Sequence, residues 1–384
     1  MNRSVRRVAA AMLALQLALV AAVAFAGDFV PSGAPRELKG APGIYESRFE
    51  TVRGPSPFDQ IALHRVAAGP KPPENPAAVL LFLPGTNMNG EVGIDDPRHN
   101  LMVYLAGKGI DTWALDYRTH FIPPATSEGD LSELKGWTNE LFESDIDAAG
   151  AFVSASTHRK KLFVGGFSRG VTFAYLYAAR HPDRVEGLVM LDGSISDHPM
   201  MPGSPSGNAD DVGGKHLTYD KRKRLMQMVI ANPDGPAPIP KYKTARENLE
   251  HVLYDAAAFG GSGGLANALG GFSDASTLAR VLIQDDRWWP SVQNYESSLT
   301  PELKQSLAGS KIPVIAFAST NMGSRFTSAA RVAASSTGSS DVTFTALDGW
   351  GHLDVLCGTK AESEVYTPIA AWITKVAQIT QRAK

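Results

Sequence analysis

The chain has 384 residues, 43% of them hydrophobic and 20% charged, with 36 glycines and 25 prolines, which excludes collagen-like, coiled-coil and wholly disordered readings. Its 37 basic and 39 acidic residues leave a formal charge of −2, so it carries no electrostatic footprint for nucleic acid. A single cysteine, Cys357, excludes an internal disulfide and any cysteine-rich metal site.

Residues 1–26 read as an address. Arg3, Arg6 and Arg7 precede an apolar run from Val8, which ends in Ala24-Phe25-Ala26 just before Gly27. A basic start, an apolar middle and an A-x-A end make a secretory signal peptide. Cleavage after Ala26 would leave a mature chain of charge about −5, secreted or periplasmic, without stable membrane insertion. An uncleaved anchor is the alternative, because the run nearly reaches spanning length.

From Ile44 the pattern alternates. Ile44–Val52 and Ile61–Ala67 read as paired edge strands separated by Gly54, Pro55 and Pro57. Ala77–Leu83 is a continuous apolar run ended by Pro84-Gly85, as suits a strand buried on both faces. A helix over Leu101–Lys108 and a strand over Ile110–Asp116 follow. Leu141, Ile146, Ala149 and Val153 then line one helix face. Strand Lys161–Gly165, helix Val171–Arg180 and strand Val185–Leu191 continue the series. This order predicts an α/β fold with a mostly parallel, doubly wound sheet.

The alternation stops after Asp192 and resumes near Ile312, with strands Pro313–Ala318 and Val342–Leu347 and a closing helix, Ala361–Val376. Residues 193–311 are too many for a connecting loop. They hold Pro/Gly/Ser-rich stretches between helical segments such as Lys221–Ile230 and Ala245–Ala258. They are expected to form a largely helical cap inserted after the sixth strand, dividing a core of residues 27–192 and 312–384. A separately folding second domain is the alternative.

The strongest chemical signal is Gly166-Phe167-Ser168-Arg169-Gly170, directly after a strand and directly before a helix. That is a G-x-S-x-G nucleophile elbow in its required context. So sharp a turn holds the serine at strained dihedrals, and glycines two residues to either side remove the collisions it would cause. A serine hydroxyl needs a base. Of nine histidines only His352 follows the last predicted strand, in Gly349-Trp350-Gly351-His352, so it is the candidate. An oxyanion would need two preorganised donors. The backbone N–H of Arg169 supplies one. The loop Leu83-Pro84-Gly85-Thr86-Asn87-Met88-Asn89-Gly90 offers Thr86 N–H as the other, with the side chains of Asn87 or Asn89 as possible additions.

With these motifs the chain resembles the α/β-hydrolase superfamily over almost its whole mature length, and is similar to capped lipases and esterases. Its Leu-Pro-Gly-Thr-Asn-Met-Asn-Gly loop stands where family members usually carry His-Gly. It is more distantly similar to polyhydroxyalkanoate synthases, which normally carry cysteine at the elbow, so Ser168 favours hydrolysis. The chain departs from the family at the third triad member. The usual acid follows the strand that is here Pro313–Ala318, yet residues 319–325 contain no carboxylate. Some members place the acid after the preceding strand, where this chain has Asp192. Asp354, Asp348 or a dyad helped by Asn321 are the other choices.

The signal segment and the resemblance together imply an exported serine hydrolase that acts on small-molecule or lipid esters and needs no cofactor or metal. Acyl transfer on the same residues and a non-catalytic binding protein on this scaffold are the competing expectations. Three minor features are read blandly. Asp285-Asp286 is taken as a solvated turn, Cys357 as packing, and Trp288-Trp289 either as the wall of an acyl pocket or as core.

Overall fold

The apolar runs of the sequence become the middle of one sheet. The computed structural model describes residues 28–201, 203–205, 210–211, 218–254, 270–297 and 299–382; the predicted signal segment lies outside them. Eight strands carry the fold: Ile44–Val52 (β1), Gln60–Ala68 (β2), Val79–Leu83 (β3), Asp111–Asp116 (β4), Leu162–Phe167 (β5), Val185–Leu191 (β6), Val314–Ser319 (β7) and Val342–Leu347 (β8). Their spatial order is β1-β2-β4-β3-β5-β6-β7-β8, and the short strands Val30–Pro31 and Arg36–Glu37 pair on β1 to make ten. The β1/β2 and β2/β4 pairs are antiparallel; from β4 to β8 all neighbours are parallel. Every residue of β3, β4, β5, β6 and β7 is buried, as parallel strands covered on both faces require.

Two apolar clusters fill the two faces. Leu101–Gly107 (α1) and Thr367–Arg382 (α9) join one of them. Asn139–Ser156 (α2) and Arg169–Arg180 (α3) pack in the other. Asn100 and Thr138 cap α1 and α2 by accepting from first-turn N–H groups that the helices leave unpaired. The buried face of α2 is made by Phe142, Ile146, Ala149 and Val153, while Leu141 is only half-buried, one position off the expected stripe. Helix α9 begins later than its hydrophobic pattern suggests, because a wider turn over Glu362–Tyr366 precedes it.

Between β6 and β7 the described residues include Tyr219–Ala231 (α4), Ala245–Tyr254 (α5), Ala275–Leu282 (α6) and Pro301–Gly309 (α7). Helix α4 packs on α5 and α6, and all three contribute to the same cluster as α1 and α9. Helix α7 instead packs on α3, with Leu307 in the opposite cluster. A two-stranded antiparallel ribbon pairs Asp210–Asp211 with Trp288–Trp289. Among the described residues no helix is long and apolar enough to cross a membrane. Ser324–Ala334 (α8) links β7 to β8.

Candidate functional site

Strand β5 runs directly into Ser168, and α3 begins at the next residue. Ser168 sits at φ 54°, ψ −118°, a conformation side chains rarely adopt, so the elbow stores backbone strain. The glycine spacing has the expected cause. A Cβ on Gly166 would collide with the Gly170 backbone, and one on Gly170 would overlap the carbonyl oxygen of Leu83 at the end of β3. The strand-to-helix turn therefore closes against the neighbouring strand only with glycine on both sides. Arg169 opens α3, so its N–H belongs to the first-turn donors without an intrahelical acceptor.

His352 and Asp192 meet beside this turn. Asp192 follows β6, is fully buried at φ 51°, and places Oδ2 3.0 Å from His352 Nδ1. Its other oxygen, Oδ1, accepts from the backbone N–H of Ser319 at 2.5 Å. The end of β7 thus carries no carboxylate; it donates a hydrogen bond to the one held by β6. The imidazole lies tilted against Phe167, the residue before Ser168, with ring centroids 4.6 Å apart, and Phe326 of α8 meets it edge-on at 5.8 Å. Those two rings fix its plane next to the elbow.

The other carboxylates near His352 are committed elsewhere. Asp354 accepts from Gly271 N–H, Phe272 N–H, Gly351 N–H and the Ser273 hydroxyl, which folds the loop around itself. Asp348 accepts from the Thr320 hydroxyl, and Asn321 donates to the Gly349 carbonyl. These partners hold them away from His352.

A cavity of about 250 Å³ opens beside Ser168, with Thr86, Arg169, Asp192, Glu296 and Phe326 in its wall. Thr86 is exposed there, on the loop after β3. Gly85 is a point of close approach: a Cβ would lie 3.1 Å from Phe167 Cδ1, 3.2 Å from Ser168 Cβ and 3.3 Å from Met88 Sδ. The Arg169 side chain is buried, and Nη2 donates to Asn139 Oδ1 at 2.6 Å and to the Gln293 carbonyl at 3.0 Å. Burial pulls its guanidinium down to about 10, against the upward pull of Glu296. Even so it stays charged at neutral pH.

Two expectations need correction. The side chains of Asn87 and Asn89 turn away from the cavity, toward residues 284–287. Asp285 and Asp286 are not a solvated turn. Asp285 is buried beside Arg222, and burial raises its carboxyl to about 7. Asp286 Oδ1 lies 2.9 Å from His120 Nδ1. Neither exposure nor pairing is visible in an Asp-Asp dipeptide, because both depend on what packs over it. Of the two readings left open for Trp288-Trp289, Trp289 takes the core one, meeting Tyr117 at 5.6 Å and Phe142 at 5.5 Å. Cys357 is buried as expected, and burial pushes its thiol up to about 12.

The model of a family described as the alpha/beta hydrolase fold matches residues 78–222, which contain β3 through β6 and the elbow. A candidate lipase from Sulfolobus solfataricus is 24% identical; the match covers 91% of this chain and 99% of that one, with a TM-score of 0.73. The chain has the α/β-hydrolase fold. An esterase from Thermogutta terrifontis (14% identity, 83% and 95% of the two chains, TM-score 0.46) and a monoacylglycerol lipase from Paleococcus ferrophilus (14%, 82% and 99%, 0.46) are more distant likenesses. No curated protein matches the chain. In this α/β hydrolase fold the elbow follows β5 and the histidine follows β8, the chain order expected of a nucleophile first and a base last.

Proposed function

We propose that the chain is an exported serine hydrolase of carboxylic esters, with Ser168 as nucleophile, His352 as base and Asp192 as the acid that orients it. The observation that carries this reading is the Asp192–His352 hydrogen bond beside a serine held at a strained elbow. With Nδ1–H donated to Asp192, the lone pair of His352 lies on Nε2 and can take the Ser168 proton as the hydroxyl attacks the ester carbonyl. Arg169 N–H and Thr86 N–H would receive the oxyanion. His352 then protonates the leaving alcohol, and water hydrolyses the acyl-enzyme through the same base. The lack of a carboxylate after β7 does not count against this reading, because Asp192, held by Ser319 N–H, supports a catalytic over a non-catalytic scaffold.

The test is turnover of p-nitrophenyl esters of graded acyl length, beside covalent labelling by a fluorophosphonate. Ester turnover with labelling confined to Ser168 is expected. Silence on every ester together with no labelling would overturn the reading. Export is supported by the arginine-led apolar segment ending in Ala24-Phe25-Ala26. Mass spectrometry of the protein from a secreting host should find an N-terminus at Gly27, and an intact Met1 terminus would contradict export by cleavage.

A further inference from the structure

The surroundings of both peptides assigned above to the oxyanion, the residues after Thr86 and the Arg169 side chain, are tied to a single stretch of chain, residues 284–294, which lies in the predicted insertion and far from either in sequence. On the β3 side, Asp286 N–H donates to the Asn87 carbonyl at 2.6 Å, and Asn87 Nδ2 returns a bond to the Asp286 carbonyl at 3.1 Å. Asn89 Nδ2 donates to the Gln284 carbonyl at 2.8 Å and to Asp286 Oδ1 at 3.2 Å. Thr86, the proposed donor, is the residue before Asn87, which is itself held at φ 61°. On the elbow side, the Arg169 guanidinium donates to the Gln293 carbonyl, and buried Gln293 donates to the Trp137 carbonyl at 3.1 Å.

The stretch is anchored between those ties. Trp289 is packed among Tyr117 and Phe142, and the Tyr117 hydroxyl donates to the Pro84 carbonyl at 3.0 Å. The Asp286 carboxylate is clasped by His120, whose Nε2 lies 3.7 Å from Asp116. Asp116 Oδ1 in turn accepts Gly90 N–H at 2.7 Å, closing the far end of the same loop.

We propose that residues 284–294 act as a fixed strap that sets the two oxyanion donors at their working positions, with Asn87 and Asp286 as positioning residues. This rests on the serine-hydrolase reading. The strap joins elements that meet only in the folded chain, so the oxyanion site is complete when the strap is seated and distorted when it is not.

The strap also makes the site sensitive to alkali. His120 faces Asp286, Asp116 and Glu91, and Arg48 and His64 approach the same Asp116 oxygen, Oδ2. Burial lowers the His120 pKa, but the hydrogen bond to Asp286 and the charges of Asp116, Asp286 and Glu91 outweigh it and raise the value to about 9. A raised folded-state value means the clasp is intact below the ordinary histidine range and is lost as pH rises through about 9.

The test uses Asn87→Gly, which keeps the left-handed backbone available while removing the side-chain bonds, and Asp286→Asn, which removes the charge that holds His120. Each is expected to slow fluorophosphonate labelling and kcat by about tenfold to a hundredfold with KM within about twofold, because misplaced donors cost transition-state and not ground-state binding. Asp286→Asn should also move the alkaline fall in kcat to lower pH. Wild-type rates in both variants, or losses that merely follow the unfolded fraction in thermal melts, would overturn the strap while leaving the hydrolase reading intact. An unlabelled wild-type protein would overturn that reading itself.

Discussion

Ser168→Ala is expected to lower kcat on a p-nitrophenyl ester by about 10⁵–10⁶-fold with KM little changed, since the nucleophile and base work as a unit. The fold should survive. Ser168 makes no side-chain cap to α3, so removing its hydroxyl leaves no helix donor newly unpaired. Alanine keeps the Cβ that makes φ 54° costly, so its melting temperature should stay close to wild type. Ser168→Gly separates the two roles of this residue. It should be equally inactive yet more stable by about 1 kcal/mol, because relief of backbone strain exceeds the added chain entropy of glycine. Turnover surviving in Ser168→Ala would remove the serine from the mechanism. An unchanged melting temperature in Ser168→Gly would show that the elbow is not strained.

Asp192→Asn should lower kcat by about 10⁴-fold, again with KM near wild type. Asparagine fits the cavity and tolerates φ 51°, so the backbone has no reason to move. The loss comes from hydrogen-bond polarity. Both carboxylate oxygens face donors, Ser319 N–H on Oδ1 and His352 Nδ1–H on Oδ2, and an amide can accept from only one of them. If the amide oxygen stays with Ser319, the NH₂ group forces the proton of His352 onto Nε2, where it can no longer take one from Ser168. If it stays with His352, Ser319 N–H loses its partner at a cost of about 1–3 kcal/mol in stability. Full activity in Asp192→Asn, with loss in Asp354→Asn at unchanged stability, would transfer the acid's role to Asp354.

Much of this protein is local, and local features are legible in a sequence. The alternation of apolar strands with helices placed β1 to β8 within a few residues, and for β3 to β7 burial on both faces demands unbroken apolar runs such as Val79–Leu83. The elbow was equally readable: two glycines spaced around Ser168 are required by a turn whose clashes all arise within five residues and one neighbouring strand. Chain order alone singled out His352 from nine histidines. What the chain by itself left open was every choice between partners far apart along it. Asp192 was the chosen candidate over Asp354 and Asp348, but only the fold shows its Oδ2 next to an imidazole 160 positions away. Asn87 and Asn89 were open as added contacts to the oxyanion, and Asp285-Asp286 looked like a solvated turn, because a polar side chain carries no mark of which surface will cover it. Nearly 200 residues separate Asn87 from the Asp286 carbonyl it binds. Hydrophobic periodicity is a property of neighbours in sequence; a buried hydrogen bond is a property of neighbours in space, and only the packed sheet and the strap across it decide those.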